Sequence, residues 1–246
     1  MPENDGEIPG FVVAELGRLA LRVPPTPEQL TRLARYLDLL LETNQKFNLT
    51  GIRDREAAWR RHIIDSLTLL PLLAGVGKNA RLMDVGSGGG LPGIPLAITR
   101  PDLRMTLLEA TGKKARFLAQ CVKDIPLPNV TVLNRRAETA GQDSSYREKF
   151  DIVVCRAVGP LNEILEYTLP LVHLGGELLA MKGPKVEEEL DRAADAMMIL
   201  GAGELQVIQA YPDDWGMDTV IVRLTKERPT PDAYPRLPGM PRLEPL

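Results

Sequence analysis

The 246-residue chain is 44% hydrophobic and 26% charged, the composition of an ordinary soluble globular protein and too apolar for a disordered one. Its net charge is −3 and aromatics make up 4%. This argues against a uniformly basic nucleic-acid binder and against a sheet that stacks bases on rows of aromatics, although a local basic patch stays open. Cys121 and Cys155 match no zinc or redox spacing, no apolar run reaches the ~20 residues of a membrane helix, and Met1 to Gly10 is acidic without a leader pattern, so a cytoplasmic protein is expected.

Phe11 to Leu21 reads as a short helix stopped by Pro24-Pro25. Thr26-Pro27-Glu28-Gln29 forms a capping box with proline at the first helical position, and Leu30, Leu33, Ala34, Leu37 and Leu41 follow at helical spacing. Asp54 can cap a further helix carrying Trp59, Ile63, Leu67 and Leu70 on one face. From Ala80 the pattern changes to alternating strands and helices. Strands are expected at Arg81 to Val85, Met105 to Glu109, Val130 to Leu133, Phe150 to Cys155 and Gly176 to Met181. The helices between and after them run from Pro92 to Thr99, Lys113 to Asp124, Leu161 to Leu171 and Val186 to Leu200. Two late strands, Leu205 to Ile208 and Thr219 to Leu224, are close enough to pair antiparallel. The alternation predicts an α/β, doubly wound, mostly parallel Rossmann-like sheet over residues 80–227. A helical extension (1–79) packs on it, and a proline-rich surface tail (228–246) follows.

The strongest chemical signal is Asp84-Val85-Gly86-Ser87-Gly88-Gly89-Gly90-Leu91-Pro92-Gly93, a glycine loop after a strand, at the carboxyl edge of the sheet where ligands bind. Gly88 to Gly93 fits G-x-G-x-x-G, which leaves a dinucleotide as the rival ligand; a P-loop is excluded. Asp84 separates the two. A pyrophosphate is held on backbone N–H groups and tolerates a carboxylate beside it poorly, whereas S-adenosylmethionine has a sulfonium and an ammonium and no phosphate. Glu109 ends the next strand, where it can accept from both ribose hydroxyls of either cofactor. Ala137-Glu138 follows the third strand, where an adenine is commonly met, or Glu138 is an exposed loop acid. Arg156 follows the fourth strand at the crevice mouth, where it would position rather than exchange protons.

That fourth strand lacks the Asn/Asp-Pro-Pro-aromatic loop common in enzymes that methylate exocyclic amines. Cys155 continues an apolar strand and reads as a core thiol rather than the nucleophile of cytosine chemistry. A ring nitrogen such as guanine N7 needs neither device, because its lone pair is already nucleophilic and alignment suffices.

The sequence resembles the bacterial small-subunit rRNA guanine-N7 methyltransferase family, also called glucose-inhibited division protein B or RsmG. The resemblance rests on Asn48-Leu49-Thr50-Gly51-Ile52, Arg61-His62-Ile63-Ile64-Asp65-Ser66-Leu67, and the glycine loop with its Leu-Pro-Gly. It continues through Leu108-Glu109, Lys113-Lys114, Arg136-Ala137-Glu138, Arg156-Ala157, Met181-Lys182-Gly183 and Tyr234-Pro235-Arg236. It implies transfer from S-adenosylmethionine, leaving S-adenosylhomocysteine, to N7 of guanine 527 in the 530 loop of 16S rRNA. It also implies a cofactor site of Gly86, Leu91, Glu109, Ala110, Thr111, Ala137, Glu138 and Arg156; Asp84 and Gly88 join it from the loop argument. In the tail, Arg242-Leu243-Glu244 stand where family members often carry paired lysines.

Arg61, His62, Lys113, Lys114, Arg136, Lys182, Arg223, Lys226 and Arg236 are candidates for a positive rim that meets RNA. A solvated face is the competing reading for each cation except Lys182, which follows the fifth strand at the crevice end of the sheet, and a packing role is the competing reading for His62. His62 and His173 are too few for a metal site, and none is expected. The expected partner is 16S rRNA or a small subunit or its assembly intermediate, met by a monomer with no membrane attachment. Methylation of another RNA or a small molecule, an NAD-dependent oxidoreductase, and a non-catalytic rRNA-binding assembly factor remain as alternatives.

Overall fold

The computed structural model describes residues 8–19 and 21–246; the acidic stretch at 1–7, and residue 20 of the expected first helix, lie outside the described residues. Seven strands form one sheet: β1 (Arg81–Val85), β2 (Arg104–Leu108), β3 (Val130–Leu133), β4 (Phe150–Arg156), β5 (Val172–Lys182), β6 (Ala202–Gln209) and β7 (Val220–Lys226). Their spatial order is β3-β2-β1-β4-β5-β7-β6. The first five are parallel, and β7 pairs antiparallel with β5 and β6. The chain order reverses at β1, which lies between β2 and β4, and this opens a crevice at the carboxyl ends of these three strands.

The central strands are apolar on both faces because helices cover both. Leu82, Ile152, Val154 and Leu179 face a core shared with α5 (Gly93–Thr99), α6 (Gly112–Asp124) and the N-terminal helices. Met83, Val85, Val153, Cys155 and Leu178 face the other core, under α8 (Leu161–Thr168) and α9 (Val186–Leu200). The alternation is the two-residue period of a strand.

The extension begins with α1 (Gly10–Arg18) and α2 (Pro27–Asn44). The expected capping box is present: Gln29 N–H donates to Thr26 Oγ1 (3.2 Å) and Thr26 N–H to Gln29 Oε1 (2.9 Å). Asp54 caps α3 (Arg55–Ala58) through Ala57 N–H at 2.7 Å. The sequence pattern reads as one regular helix from there, but the chain widens into a π-helical stretch (Trp59–Ile64) before α4 (Asp65–Leu67). The wider turn brings Trp59, His62, Ile63 and Ile64 all inward, to 6% exposure or less.

Two strand starts and one helix depart most from the sequence expectation. β5 starts at Val172, four residues early, across a register shift between Phe150 and Ile152 that Gly175-Gly176 disguise in sequence. The edge strand β6 starts at Ala202, where exposed residues give no apolar signal. A six-residue helix, α7 (Ala137–Gln142), fills what read as a loop.

The proline-rich end runs over the surface and is docked there by specific contacts. Arg236 grips the fully buried Glu166 through a two-pronged ion pair (2.6 Å). Arg147 donates to Thr230 O and Tyr234 O (both 2.7 Å), and Gln142 donates to Pro235 O (2.8 Å). Leu246 packs on the second core, and a short helix, α10 (Met240–Leu243), follows Gly239. A proline-rich segment offers carbonyls and few N–H groups, so side-chain donors from the sheet domain can hold it.

Candidate active site

The carboxyl ends of β1, β2 and β4 are in register, Val85 beside Leu108 and beside Cys155. The next residues, Gly86 and Glu109, and Arg156 at the end of β4, therefore converge. Two clefts open there. The first, of about 440 Å³, is lined by Gly86, Glu109, Ala110, Ala137, Glu138 and Tyr167, among others. The second, of about 480 Å³, is lined by Thr50, Arg61, His62, Asp65, Gly88, Leu91, Lys114 and Arg156 in company with the hairpin residues Met217 and Thr219. Gly86 lines both.

The glycine loop is fitted to its place. Gly86 has φ +73°, and a Cβ there would come within 2.8 Å of Val158 Cγ2. Its neighbour Ser87 N–H donates to Leu108 O at 3.1 Å. Tyr36 of α2 reaches across to donate its hydroxyl to Gly89 O (2.7 Å), so the N-terminal extension clamps the loop. Glu109, 6% exposed, accepts from Gly88 N–H (2.9 Å) on Oε2 and from Thr111 N–H (2.6 Å) on Oε1. Each carboxylate oxygen keeps a second lone pair for a ligand hydroxyl.

Asp84 sits beneath the loop at 0% exposure, lining neither cleft. Its Oδ2 accepts from Gly93 N–H (3.0 Å) at the start of α5. A Cβ at Gly93 would lie 2.7 Å from that oxygen, so only glycine permits the approach. Oδ1 is buried without a hydrogen-bond partner among the described residues. Burial, opposed by the Gly93 hydrogen bond, pushes the carboxyl up to about 7. The helix-start N–H that a pyrophosphate would use is thus already taken by a carboxylate. The cleft fits a phosphate-free nucleoside ligand better than a dinucleotide.

Arg156 belongs to the second cleft and is absent from the lining of the first. Its Nη1 donates to Asp65 Oδ2 (2.9 Å) and to Arg61 O (3.0 Å), a carbonyl of the π-helical stretch. Asp65 Oδ1 accepts in turn from the hydroxyls of Tyr211 (3.0 Å) and Thr219 (2.9 Å), so one buried carboxylate ties the extension, β4 and the β6–β7 hairpin together. His62 shares a 2.7 Å hydrogen bond with Thr50 Oγ1. Burial and the nearby Arg156 cation push its imidazole down to about 4, so it is neutral near pH 7. Asp65, Thr50, Tyr211 and Thr219 were given no role from sequence. Asp65 lies within the Arg-His-x-x-Asp-Ser segment, but only the fold reveals what it holds.

The remaining expected residues separate. Gly86, Glu109, Ala110, Ala137 and Glu138 meet at the first cleft, with Thr111 joined through its N–H to Glu109. Glu138 is no exposed loop acid: it is 2% exposed and paired with Arg136 at 2.6 Å. Cys155 is buried, and burial pushes its thiol up to about 12, as a core cysteine requires. Arg61, His62 and Lys114 line the second cleft, and Lys113, exposed beside it, makes no ion pair among the described residues. Lys182 is held by Glu189 (2.7 Å) and Gly159 O (2.8 Å), and Arg223 by Glu177 in mid-strand, away from the crevice. Arg236 is committed to Glu166. Lys226 requires a correction: at 0% exposure its ammonium donates to Leu169 O, Leu200 O and Thr230, which leaves no surface from which to meet RNA. Burial pushes its ammonium down to about 8.

Residues 29–213 match the family model GidB, rRNA small subunit methyltransferase G. The chain belongs to this family. It is 44% identical over 220 residues to the ribosomal RNA small subunit methyltransferase G of Moorella thermoacetica, covering 89% of this chain and 91% of that one. It is 42% identical to the protein of the same name from Chloroflexus aggregans, covering 91% and 93%. Among solved structures it resembles a TehB-like SAM-dependent methyltransferase from Corynebacterium glutamicum, with TM-score 0.50, 15% identity and coverage of 76% and 98%. A predicted O-methyltransferase from Agrobacterium tumefaciens gives TM-score 0.50, 17% identity and coverage of 68% and 81%. The fold of this small-subunit rRNA methyltransferase is thus the Rossmann-like methyltransferase fold. No helix among the described residues is long and apolar enough to cross a membrane.

Proposed function

We propose that this S-adenosylmethionine-dependent small-subunit rRNA methyltransferase methylates N7 of guanine 527 in the 530 loop of 16S rRNA, with the donor in the first cleft and the guanine in the second. The observation that carries this reading is the meeting of the two clefts at Gly86, a position without a side chain to stand between them. When bound, S-adenosylmethionine supplies an electrophilic methyl group on a sulfonium.

The chain's own residues then hold and align. Glu109 accepts from the ribose hydroxyls, and Ala137 and Glu138 border the adenine. Asp84, expected from sequence to touch the donor, is buried beneath the loop and outside both clefts, so it acts by fixing the loop through Gly93. Arg156, held by Asp65, is placed to donate to guanine O6 alone, leaving the N7 lone pair free to attack the methyl carbon. N7 loses no proton on methylation, so the reaction needs alignment and no general base. A neutral, hydrogen-bonded His62 is compatible with that chemistry.

Arg61, Lys113 and Lys114 are the cations best placed for rRNA phosphates near the second cleft. We read residues 1–79 as an extension that builds the acceptor wall, 80–227 as the catalytic core and 228–246 as a docked tail, in a monomeric cytoplasmic enzyme. The test is incubation with methyl-labelled donor and either unmethylated small subunits or naked 16S rRNA, followed by reduction and aniline cleavage at N7-methylguanine. A single labelled 530-loop guanine is expected. Label elsewhere, or none with donor binding intact, overturns the assignment.

A further inference from the structure

Three arginines border the first cleft: Arg135, Arg136 and Arg242. Two are already committed. Arg135 pairs with Asp143 and Arg136 with Glu138, both at 2.6 Å. Arg242, from α10 of the docked tail, is exposed and has no carboxylate or hydrogen-bond partner among the described residues. It arrives there by construction. Gly239 N–H, three residues earlier, donates to Glu138 Oε1 at 2.9 Å, which joins the tail to the wall of the cleft. The Arg236–Glu166 pair fixes the chain just before that latch.

Arg242 lines only the first cleft. The transferred methyl must face the junction at Gly86, so the wall formed by Glu138, Tyr167 and Arg242 is left for the nucleoside end of the donor. A guanidinium that is unpaired, planar and weakly hydrated is suited to contact a purine face, which a lysine ammonium replaces poorly. We propose that Arg242 is a donor-contacting residue, carried into the cleft by the C-terminal tail, that closes on the purine of S-adenosylmethionine and its product. The proposal rests on the reading of the first cleft as the donor site.

The test is calorimetric titration of S-adenosylhomocysteine, and separately of adenosine, into the full chain and into Arg242→Ala and Arg242→Lys. Because the side chain is exposed and unpaired, the melting temperature of the donor-free protein should not move. Arg242→Ala should weaken both ligands by the same factor, roughly three- to tenfold, and Arg242→Lys should recover little of it. Unchanged affinity in Arg242→Ala, with only a reduced salt dependence of rRNA binding, overturns the proposal and leaves the donor site standing. Full rescue by lysine also overturns it. Failure of the unaltered protein to bind S-adenosylhomocysteine overturns the proposal together with the donor site.

Discussion

The two clefts share Gly86 but are built differently. At the first cleft the glycine loop and its acid are fixed by contacts local in sequence: Thr111 to Glu109 spans 2 residues, Gly93 to Asp84 beneath the loop spans 9, and Gly88 to Glu109 spans 21. They use backbone N–H groups. In the second cleft a side chain on the extension, Asp65, gathers Arg156, Tyr211 and Thr219 from 91, 146 and 154 residues away. A motif therefore records the loop and acid of the first cleft, while its Tyr36 clamp and Gly239 latch, and the whole of the second cleft, come only from the folded chain. The difference also assigns separate failures to the two sites.

The largest expected effect is confined to the donor side. Glu109→Ala removes a carboxylate expected to take two charged hydrogen bonds from the ligand. It should weaken S-adenosylhomocysteine binding by at least about 100-fold while rRNA affinity stays unchanged. Equal loss of both affinities, by calorimetry and filter binding, would break the separation. On the acceptor side, Asp65→Ala leaves Arg156 without its ion-pair partner in a buried site. Unfolding free energy should fall by about 3 kcal/mol in denaturant titration. At permissive temperature, methyl transfer should drop roughly 10- to 100-fold with donor affinity kept.

Gly86→Ala tests the junction itself. Its positive φ costs about 1–2 kcal/mol for any L side chain, and its Cβ meets Val158. Thermal melting should show the loss of stability, and both donor binding and transfer should decline together. A variant that impairs only one would place the junction elsewhere.

The smallest effects are pH-dependent and opposite in sign. Asp84 has a folded value of about 7 against an ordinary 3.8. Its contribution to stability is full below 3.8 and is lost as pH rises to about 7. His62 has about 4 against 6.5. Its contribution is present above 6.5 and is lost as pH falls to about 4. Relative to the unaltered protein, the melting temperature of Asp84→Asn should therefore rise as pH goes from 4 to 7. That of His62→Gln should rise as pH goes from 7 to 4. Parallel pH profiles for all three proteins would contradict both assignments.

The sheet was legible because buried parallel strands read as apolar runs and each is followed by a helix pattern. The capping box at Thr26 and the cap at Asp54 were legible because both are local hydrogen bonds. The π-helical stretch was not, since its cause is the core that Trp59, Ile63 and Ile64 enter, and their spacing alone also suits a regular helix. Gly86 and Glu109, proposed to hold the donor, directly follow strand ends, a position that sequence reveals. Lys226 misled because a lysine near a strand end reads as surface charge. Nothing local announces that the carbonyls of Leu169 and Leu200 will surround it. The tail reads as surface, and its residues are mostly exposed, but its anchors Arg147 and Glu166 lie far upstream and leave no local signal.

The most direct test of the two-cleft account measures, on one preparation of Asp65→Ala, both S-adenosylhomocysteine affinity and the rate of labelled methyl transfer to unmethylated small subunits. The account predicts an affinity equal to that of the unaltered protein and transfer reduced at least about tenfold. Transfer at the full rate, or donor affinity lost in step with transfer, would contradict the division of labour between the clefts.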